Sequence, residues 1–442
     1  MEAAMNSRNE HRVSRRRFLQ QAGWIGAGAV VAPTFIPGSA LGQDGRPAPS
    51  ERIVIGCVGV GGMGSGNMNS FLNYGDAQVV AVCDVDANHR QSAMDAVNNK
   101  YNNKDCKGYD DFRELVTRKD IDAISLATPD HWHSLPAILA ANNGKDIYGE
   151  KPLSHTFAEG RAMCDAVAKN KRIWQTGSWQ RSQENFRFAS ELVLNGRIGK
   201  VHTVEVGLPV DGTVNNKIPL KPQTPPENLD WNFWLGPAPV APYQPERVHF
   251  HWRWNLDYGG GALMDWIGHH NDIAHWGLGY DLTGPISVEG EGEYQDVGIY
   301  NTAYKFRCIA KYRTGVEIIL AGSQPDIPNG TRWIGDDGWV YVDRGKIDAE
   351  PHSLLEEKIG PDEINLYKSP GHHREFLDSI KSRKPTLTPA EVAHRSATPG
   401  HLAQIAMLLG RKIQFNPDTE EIIGDPEASA MLKPSMRAPW SL

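Results

Sequence analysis

Cysteine is scarce: Cys57, Cys83, Cys106, Cys164 and Cys308 are the only five in 442 residues, and no two stand at C-x-x-C spacing. An odd, unpatterned set excludes a disulfide framework and a zinc ribbon, and Cys57 and Cys83 fall in apolar runs where a buried free thiol is the ordinary state. An excess of basic charge is also missing. Lys and Arg total 46 against 53 Asp and Glu, a net −7, and without residues 1–42, which carry five Arg and two Glu, the net becomes −7 − 5 + 2 = −10. That balance argues against nucleic acid or an anionic membrane surface as a partner. No good spanning segment is found either: the apolar stretch at 22–36 is broken by Gly23, Gly26, Gly28 and Pro33, too short and too interrupted to cross a bilayer. Internal repeats are absent, which excludes a solenoid. What remains, 40% apolar and 22% charged residues, is the composition of a globular protein long enough for two or three domains.

The amino-terminal residues read as an address. Ser14-Arg15-Arg16-Arg17-Phe18-Leu19-Gln20, the apolar stretch and a small-residue site at Ala40-Leu41-Gly42 form a twin-arginine signal over residues 1–42. Residues 43–51 follow as a polar linker. The protein is therefore expected in the periplasm or otherwise exported, with no stable membrane insertion. Twin-arginine export carries folded proteins, which suits a cofactor acquired beforehand and held tightly.

Residues 53–64, Ile-Val-Ile-Gly-Cys-Val-Gly-Val-Gly-Gly-Met-Gly, turn from apolar to glycine where a strand would hand over to a helix. Gly59, Gly61 and Gly64 fit G-x-G-x-x-G, in which the glycines permit the tight turn, backbone approach to a pyrophosphate and close helix–strand packing. Gly62 and Met63 lie inside that turn. A second apolar run from Gln78 ends in Asp84, 20 residues after Gly64, where a carboxylate can accept both ribose hydroxyls and would repel a 2′-phosphate. The cofactor expected is NAD, with NADP disfavoured.

Strands are predicted at 52–58, 78–83, 121–127, 145–149 and 172–176, alternating with helices near 63–73, 87–100, 110–118, 133–143 and 156–169. Thr156 and Glu159 fit a capping box. This succession makes a parallel-sheet Rossmann domain over 52–180. After a helix at about 185–195, longer alternating runs at 200–208, 285–294, 302–313, 315–323 and 338–343 suggest a mostly antiparallel open sheet. The second domain then covers 181–415. Helices at 371–382 and 389–411 are expected to pack back on the body, and 416–442 is read as a tail. The fold class is α/β followed by α+β. An insertion at 209–262, rich in proline and tryptophan, reads as a functional loop or lid, with a docking arm as the alternative.

Four clusters carry the chemistry. Thr128, Pro129, His131 and His133 follow the strand 121–127 and are candidates to border the cofactor. Glu150 and Lys151 follow the strand 145–149, where an ammonium can stabilise a developing oxyanion and Glu150 can hold it in place. Asp265, His269 and Asp272 stand at i, i+4 and i+7, so a helix there would put them on one face. A histidine beside a carboxylate suits a general base that removes a hydroxyl proton. Arg253 and Trp254, with Gln180 and Arg181 upstream, suit a polyhydroxylated ring. The same residue types also serve as core and as structural ion pairs. His269, Asp272 and His275 hold donor atoms but match no zinc spacing, so no metal is expected.

Taken together, the run from Gly59 to Gly64 with Asp84, Glu150-Lys151-Pro152, and Gly259-Gly-Gly with Asp265 and His269 resemble the Gfo/Idh/MocA oxidoreductases over nearly all of 52–415. The resemblance implies that Lys151 contacts substrate and cofactor, and that His269 is the acid/base with Asp265 as its partner. One departure stands out: the usual D-x-G-x-H has become a form with Ile267 at the glycine position and Gly268 directly before His269. The expected activity is NAD-dependent oxidation of a ring hydroxyl on a sugar, polyol or sugar derivative. The alternative is glycoside cleavage or epimerisation through a transient keto-sugar with no net redox change. A homo-oligomer, dimer or tetramer, is expected.

Overall fold

The computed structural model describes Ala48 and residues 51–442. The twin-arginine segment and most of the linker therefore lie outside the described residues.

The first sheet is built from β1 (Ile53–Val58), β2 (Ala77–Cys83), β3 (Lys107–Tyr109), β4 (Ala123–Leu126), β5 (Asp146–Gly149) and β6 (Trp174–Thr176). Its order is β3-β2-β1-β4-β5-β6 and every neighbour is parallel. Strand direction of travel across the sheet reverses between β1 and β4, the point at which doubly wound sheets open a crevice. The helices between strands fall where the alternation predicts, including Gly62–Phe71, Ala87–Tyr101 and Phe157–Lys169. Thr156 and Glu159 complete the capping box: the Thr156 side chain accepts from the Glu159 N–H, and the Glu159 carboxylate accepts from the Thr156 N–H. β3 escapes sequence reading because three residues, mostly exposed, leave no alternation to detect.

The second sheet has nine strands. β7 (Val201–Leu208), β8 (Ser287–Glu293), β9 (Lys305–Lys311), β10 (Glu317–Gly322) and β12 (Gly338–Asp343) match predicted runs. β11 (Gly330–Gly335), β13 (Lys346–Glu350), β14 (Ile413–Asn416) and β15 (Glu421–Ile422) are additional. The order is β13-β12-β11-β7-β10-β9-β8-β14-β15, antiparallel except for the β7–β10 pair. β13 is an edge strand of five residues, Lys-Ile-Asp-Ala-Glu, whose alternation runs over too short a stretch to stand out in sequence. Residues 416–442, read as a tail, are corrected: β15 closes the sheet, a helix covers Pro426–Met431, and Trp440 packs edge-on against Trp132, 4.9 Å between ring centres.

The core of this half joins the sheet to the helices Glu184–Leu194, Asp272–Leu278 and Ala390–Leu409, with Trp333, Phe306 and Phe415 among the most buried side chains. The carboxyl-terminal helices do pack back. His372–Ser382 meets the first domain through a contact of 3.0 Å between His373 Nε2 and Asn67, and through the Arg374–Asp76 ion pair.

Candidate active site

At the crevice, Gly59 lies at φ +76°, and a Cβ on it would fall 2.6 Å from the Ala127 carbonyl oxygen. A Cβ on Gly64 would fall 1.9 Å from the Gly59 oxygen. Both positions therefore demand glycine, one for conformation and the other for helix–strand contact. The helix that follows is capped by Gly61, which has no side chain to bond its first N–H groups. Those groups are left for an anionic ligand. At the end of β2, Asp84 is oriented by the N–H groups of Val60 (3.0 Å) and Asp86 (2.9 Å), which donate to its two oxygens.

A cleft of about 510 Å³ runs across the carboxyl ends of β1, β2, β4 and β5. It is lined by Gly59, Gly61, Gly62, Met63, Asp84, Thr128, Pro129, Glu150 and Lys151, all anticipated for the cofactor, and by Arg253 and Asp265. Its other wall is the insertion. Asn228 accepts from the Ala87 N–H at 2.8 Å and the Asp230 N–H donates to the Val85 carbonyl. Leu229, Phe233, Trp234, Phe250 and Trp252 thereby become lining residues. The aromatic density of 209–262 was the signal for this wall, although the positions were not legible individually.

At the β5 end, the Lys151 ammonium donates to the Asp265 carbonyl (2.8 Å) and to its carboxylate (2.7 Å), and Arg253 Nε donates to the same carboxylate oxygen at 3.2 Å. Burial alone would raise the Asp265 carboxyl, but Lys151 and Arg253 hold it below the usual range. Glu150 does not bond the Lys151 ammonium; its carboxylate accepts from Asn67 at 2.8 Å and from the Lys151 backbone. His269 is buried between Trp179 and Trp266, with ring centres 6.1 and 5.5 Å away, and its Nδ1 has no hydrogen-bond partner among the described residues. Burial first, then the positive charges of Lys151 and Arg344, push its ring well below the ordinary imidazole range. At neutral pH it is an uncharged base.

The chain between Gly261 and Leu278 is not one regular helix. Helix Gly261–Trp266 passes into a π-segment, Ile267–Asn271, before resuming at Asp272. Such wide turns cluster at functional sites. The segment shifts the helical phase, so the expectation that Asp272 shares a face with Asp265 and His269 is corrected. Asp272 instead pairs with Arg181, which donates to it at 2.7 and 2.9 Å and also to Asp281, with Arg181 only 1% exposed. Gly268, directly before His269, lets Lys151 pass: a Cβ there would lie 2.9 Å from Lys151 Cβ.

Other candidate side chains also serve elsewhere. His131 Nε2 lies 3.0 Å from the Trp234 carbonyl, and His133 bridges the carbonyls of Pro152 and Thr128 at 2.8 and 2.9 Å. Both are buried and neither lines the cleft. Gln180 contacts His270, and Trp254 donates to Thr213 from within the core. Gln180, Arg181, Trp254 and Asp272 are thus framework, whereas Arg253 faces the cleft. Asp130, just before His131 in the chain, carries no sequence signal of its own. It lines the cleft, and burial, with Asp265 nearby, pushes its carboxyl well above the usual range. All five cysteines are free and buried. No helix among the described residues is long and apolar enough to cross a membrane.

Residues 53–178 match the family profile described as an oxidoreductase family with an NAD-binding Rossmann fold, and residues 189–442 match that family's carboxyl-terminal α/β domain. An inositol 2-dehydrogenase of Salmonella typhimurium is 32% identical over 150 residues, 34% of this chain and 43% of that protein. A glycosyl hydrolase family 109 protein of Saccharopolyspora erythraea is 32% identical over 203 residues, 42% of this chain and 44% of that protein. The matched segment is thus less than half the length of each relative. Among solved structures, the WlbA dehydrogenase of Bordetella pertussis, in complex with NADH and UDP-GlcNAcA, superposes with a TM-score of 0.62 at 17% identity, covering 83% of this chain and 99% of that one. At that identity the likeness speaks for the fold.

Proposed function

The chain belongs to the Gfo/Idh/MocA oxidoreductase family, with an NAD(H)-binding Rossmann domain ahead of the family's α/β domain, and we propose that it oxidises a ring hydroxyl of a sugar, polyol or sugar derivative. NAD, when bound, supplies the hydride acceptor. The glycine turn, the uncapped helix start and Asp84 fit its phosphates and ribose, and the Asp84 carboxylate favours NAD over NADP by repelling a 2′-phosphate.

What supports the reading is the Lys151–Asp265 pair at the β5 end of the cleft, with His269 buried behind the lining and near enough for the Lys151 charge to lower its ring. β5 lies three strands from β2, about 14 Å at the usual strand spacing, so a cofactor anchored at Asp84 has its reacting end free to reach this group. His269, uncharged, accepts the hydroxyl proton at a ring nitrogen. Lys151 has three N–H donors and spends two on Asp265, leaving one for the substrate oxygen as negative charge develops. Arg253 shares Asp265 and presents its guanidinium to the same space. The aromatic wall of the insertion supplies faces for sugar C–H surfaces.

The twin-arginine leader supports export, and an exported enzyme that must keep its cofactor supports tight NAD binding. The test is to purify the full chain, denature it and assay the supernatant for NAD, then to offer inositols and hexoses and follow NADH. Absence of released nucleotide, with no binding of added NAD, would remove the basis of this reading. The family 109 relative favours one alternative, glycoside cleavage or epimerisation with no net redox change. Cleaved disaccharide without keto-sugar would establish that route. A homo-oligomer, measurable by light scattering, belongs to the same proposal.

A further inference from the structure

At the Asp84 end of the cleft, donor atoms converge from two segments that are remote in sequence. Asp86 caps helix Ala87–Tyr101: its Oδ1 accepts from the Asn88 N–H at 2.8 Å and from Asn228 Nδ2 at 2.9 Å. Its other oxygen faces the insertion, with His249 Nε2 at 3.8 Å. His89 lies one turn along the same helix, with Nδ1 3.7 Å from Asp84 and its ring centre 5.0 Å from that of His249. One ligand atom each from Asp86, His89 and His249 lies within 4.8 Å of the other two. All three residues line the cleft. His131 Nε2 and both nitrogens of His133 meet backbone carbonyls, whereas among the described residues neither of these imidazoles does. His249 moreover sits at φ +54°, a left-handed conformation uncommon for a non-glycine residue. The insertion thus holds a strained backbone at the residue that turns its ring toward Asp86.

We propose that Asp86, His89 and His249 form a binding site for a first-row divalent transition-metal ion, with Zn²⁺ as the reference ion. Two imidazoles and a carboxylate are a borderline-soft donor set that suits Zn²⁺, Co²⁺ or Ni²⁺ far better than Mg²⁺ or Ca²⁺, which take oxygen ligands. Bonds of about 2.0–2.2 Å place ligand atoms about 3.3 Å apart around a tetrahedral ion. The present atoms, up to 4.8 Å apart, need to close by up to about 1.5 Å, within reach of side-chain rotation at His89 and His249, which are 37% and 52% exposed. Such an ion would fasten the insertion to the start of the helix beside Asp84, across the mouth of the cleft. Its fourth position would face the cleft. No sequence spacing could announce this site, because 160 residues separate His89 from His249. A metal here departs from the expectation, drawn from motif spacing, that the chain holds none. The site does not depend on the sugar-oxidising reading.

The test uses the full chain with whatever nucleotide it carries. After chelator treatment and desalting, the protein is dialysed against Zn²⁺ and its metal content measured, and Co²⁺ is added in parallel for its visible absorption. One equivalent per chain is expected, with affinity falling by about tenfold or more in His249→Ala and again in His89→Ala. NAD content measured on the same samples separates failure of this site from failure of the cofactor assignment. Absence of stoichiometric Zn²⁺ in the wild type would overturn the proposal, and so would full retention in the His89→Ala, His249→Ala double variant.

Discussion

Lys151 and Arg181 are both cations held by carboxylates of the same stretch, Asp265 and Asp272, yet they occupy opposite kinds of place. Arg181 directs its guanidinium at Asp272 and Asp281, stacks over Trp276 with 5.3 Å to the ring centre, and is 1% exposed. Its donors are spent on protein. Lys151 keeps one donor free, faces the cleft, and shares its carboxylate with Arg253. Residue type does not distinguish an ion pair open to a cavity from one sealed in the framework; unspent hydrogen-bonding capacity turned toward the cavity does.

The comparison breaks most sharply beside Lys151, at the buried histidine whose ring its charge lowers. His269→Ala is expected to lower kcat about 10³- to 10⁴-fold, a loss of about 4–5 kcal/mol in the transition state, while NAD content stays at the wild-type level. Because burial and Lys151 hold the ring well below the ordinary imidazole value of 6.5, the base remains uncharged as pH falls through that value. Activity is lost only when pH falls through the lower folded value, so a kcat/KM profile that is level from pH 8 to below 6.5 is expected. An inflection at or above 6.5 would assign the proton to another group.

The sealed cluster breaks differently. Arg181→Met leaves Asp272 buried beside Asp281 without its cation, and removing one partner of a buried pair costs about 3–4 kcal/mol. Urea unfolding should register that loss, whereas kcat per folded molecule should stay within about twofold of wild type. A fall in activity with stability intact would return Arg181 to the substrate role its sequence context suggested.

How far the sequence reaches follows the same division. The strands at 53–58, 77–83, 123–126 and 146–149 announce themselves because buried parallel strands are continuous apolar runs. The Gly59–Gly64 turn, Asp84 and Lys151 follow from those strand ends. The π-segment is silent in sequence, since nothing in residues 267–271 demands a wider turn, and it alone moves Asp272 from the expected face. Which histidines are framework is equally silent. His131 and His133 are decided by carbonyls of Trp234 and Pro152, contacts made only after the chain folds.

A smaller effect separates the two regions by pH. Glu159 is sealed, accepting from Thr156 and Ser134, and burial pushes its carboxyl from an ordinary 4.5 up to about 7. A raised carboxyl binds its proton more tightly folded than unfolded. Its contribution is therefore present below 4.5 and is lost as pH rises toward 7, by about 2 kcal/mol between pH 5 and 7. Glu159→Gln keeps an acceptor for the Thr156 N–H and should flatten that slope in urea titrations at the two pH values. The activity profile should keep the shape set by His269. If both profiles moved together, the sealed and open groups would be coupled.

Gly268→Ala is the mildest change and bears most directly on the boundary. Its added Cβ would stand 2.9 Å from Lys151 Cβ, an atom tied to backbone rather than the far end of a flexible chain. Nor can Gly268 retreat easily, because Ser178 Oγ donates to its carbonyl at 2.6 Å. Something must shift by a few tenths of an ångström, and overpacking of this kind costs roughly 1–3 kcal/mol. Ile267 takes the position where the related family pattern has glycine, and it is fully buried in the core. The close approach has therefore moved one residue along the chain and now serves Lys151. The expected outcome is a stability loss near the lower end of that range, about 1 kcal/mol. kcat should fall about tenfold as the ammonium leaves its line with Asp265, and NAD content should be retained. Unchanged kcat in a folded variant would mean that the lysine's placement does not depend on the π-segment, leaving the wide turn without a part in the chemistry.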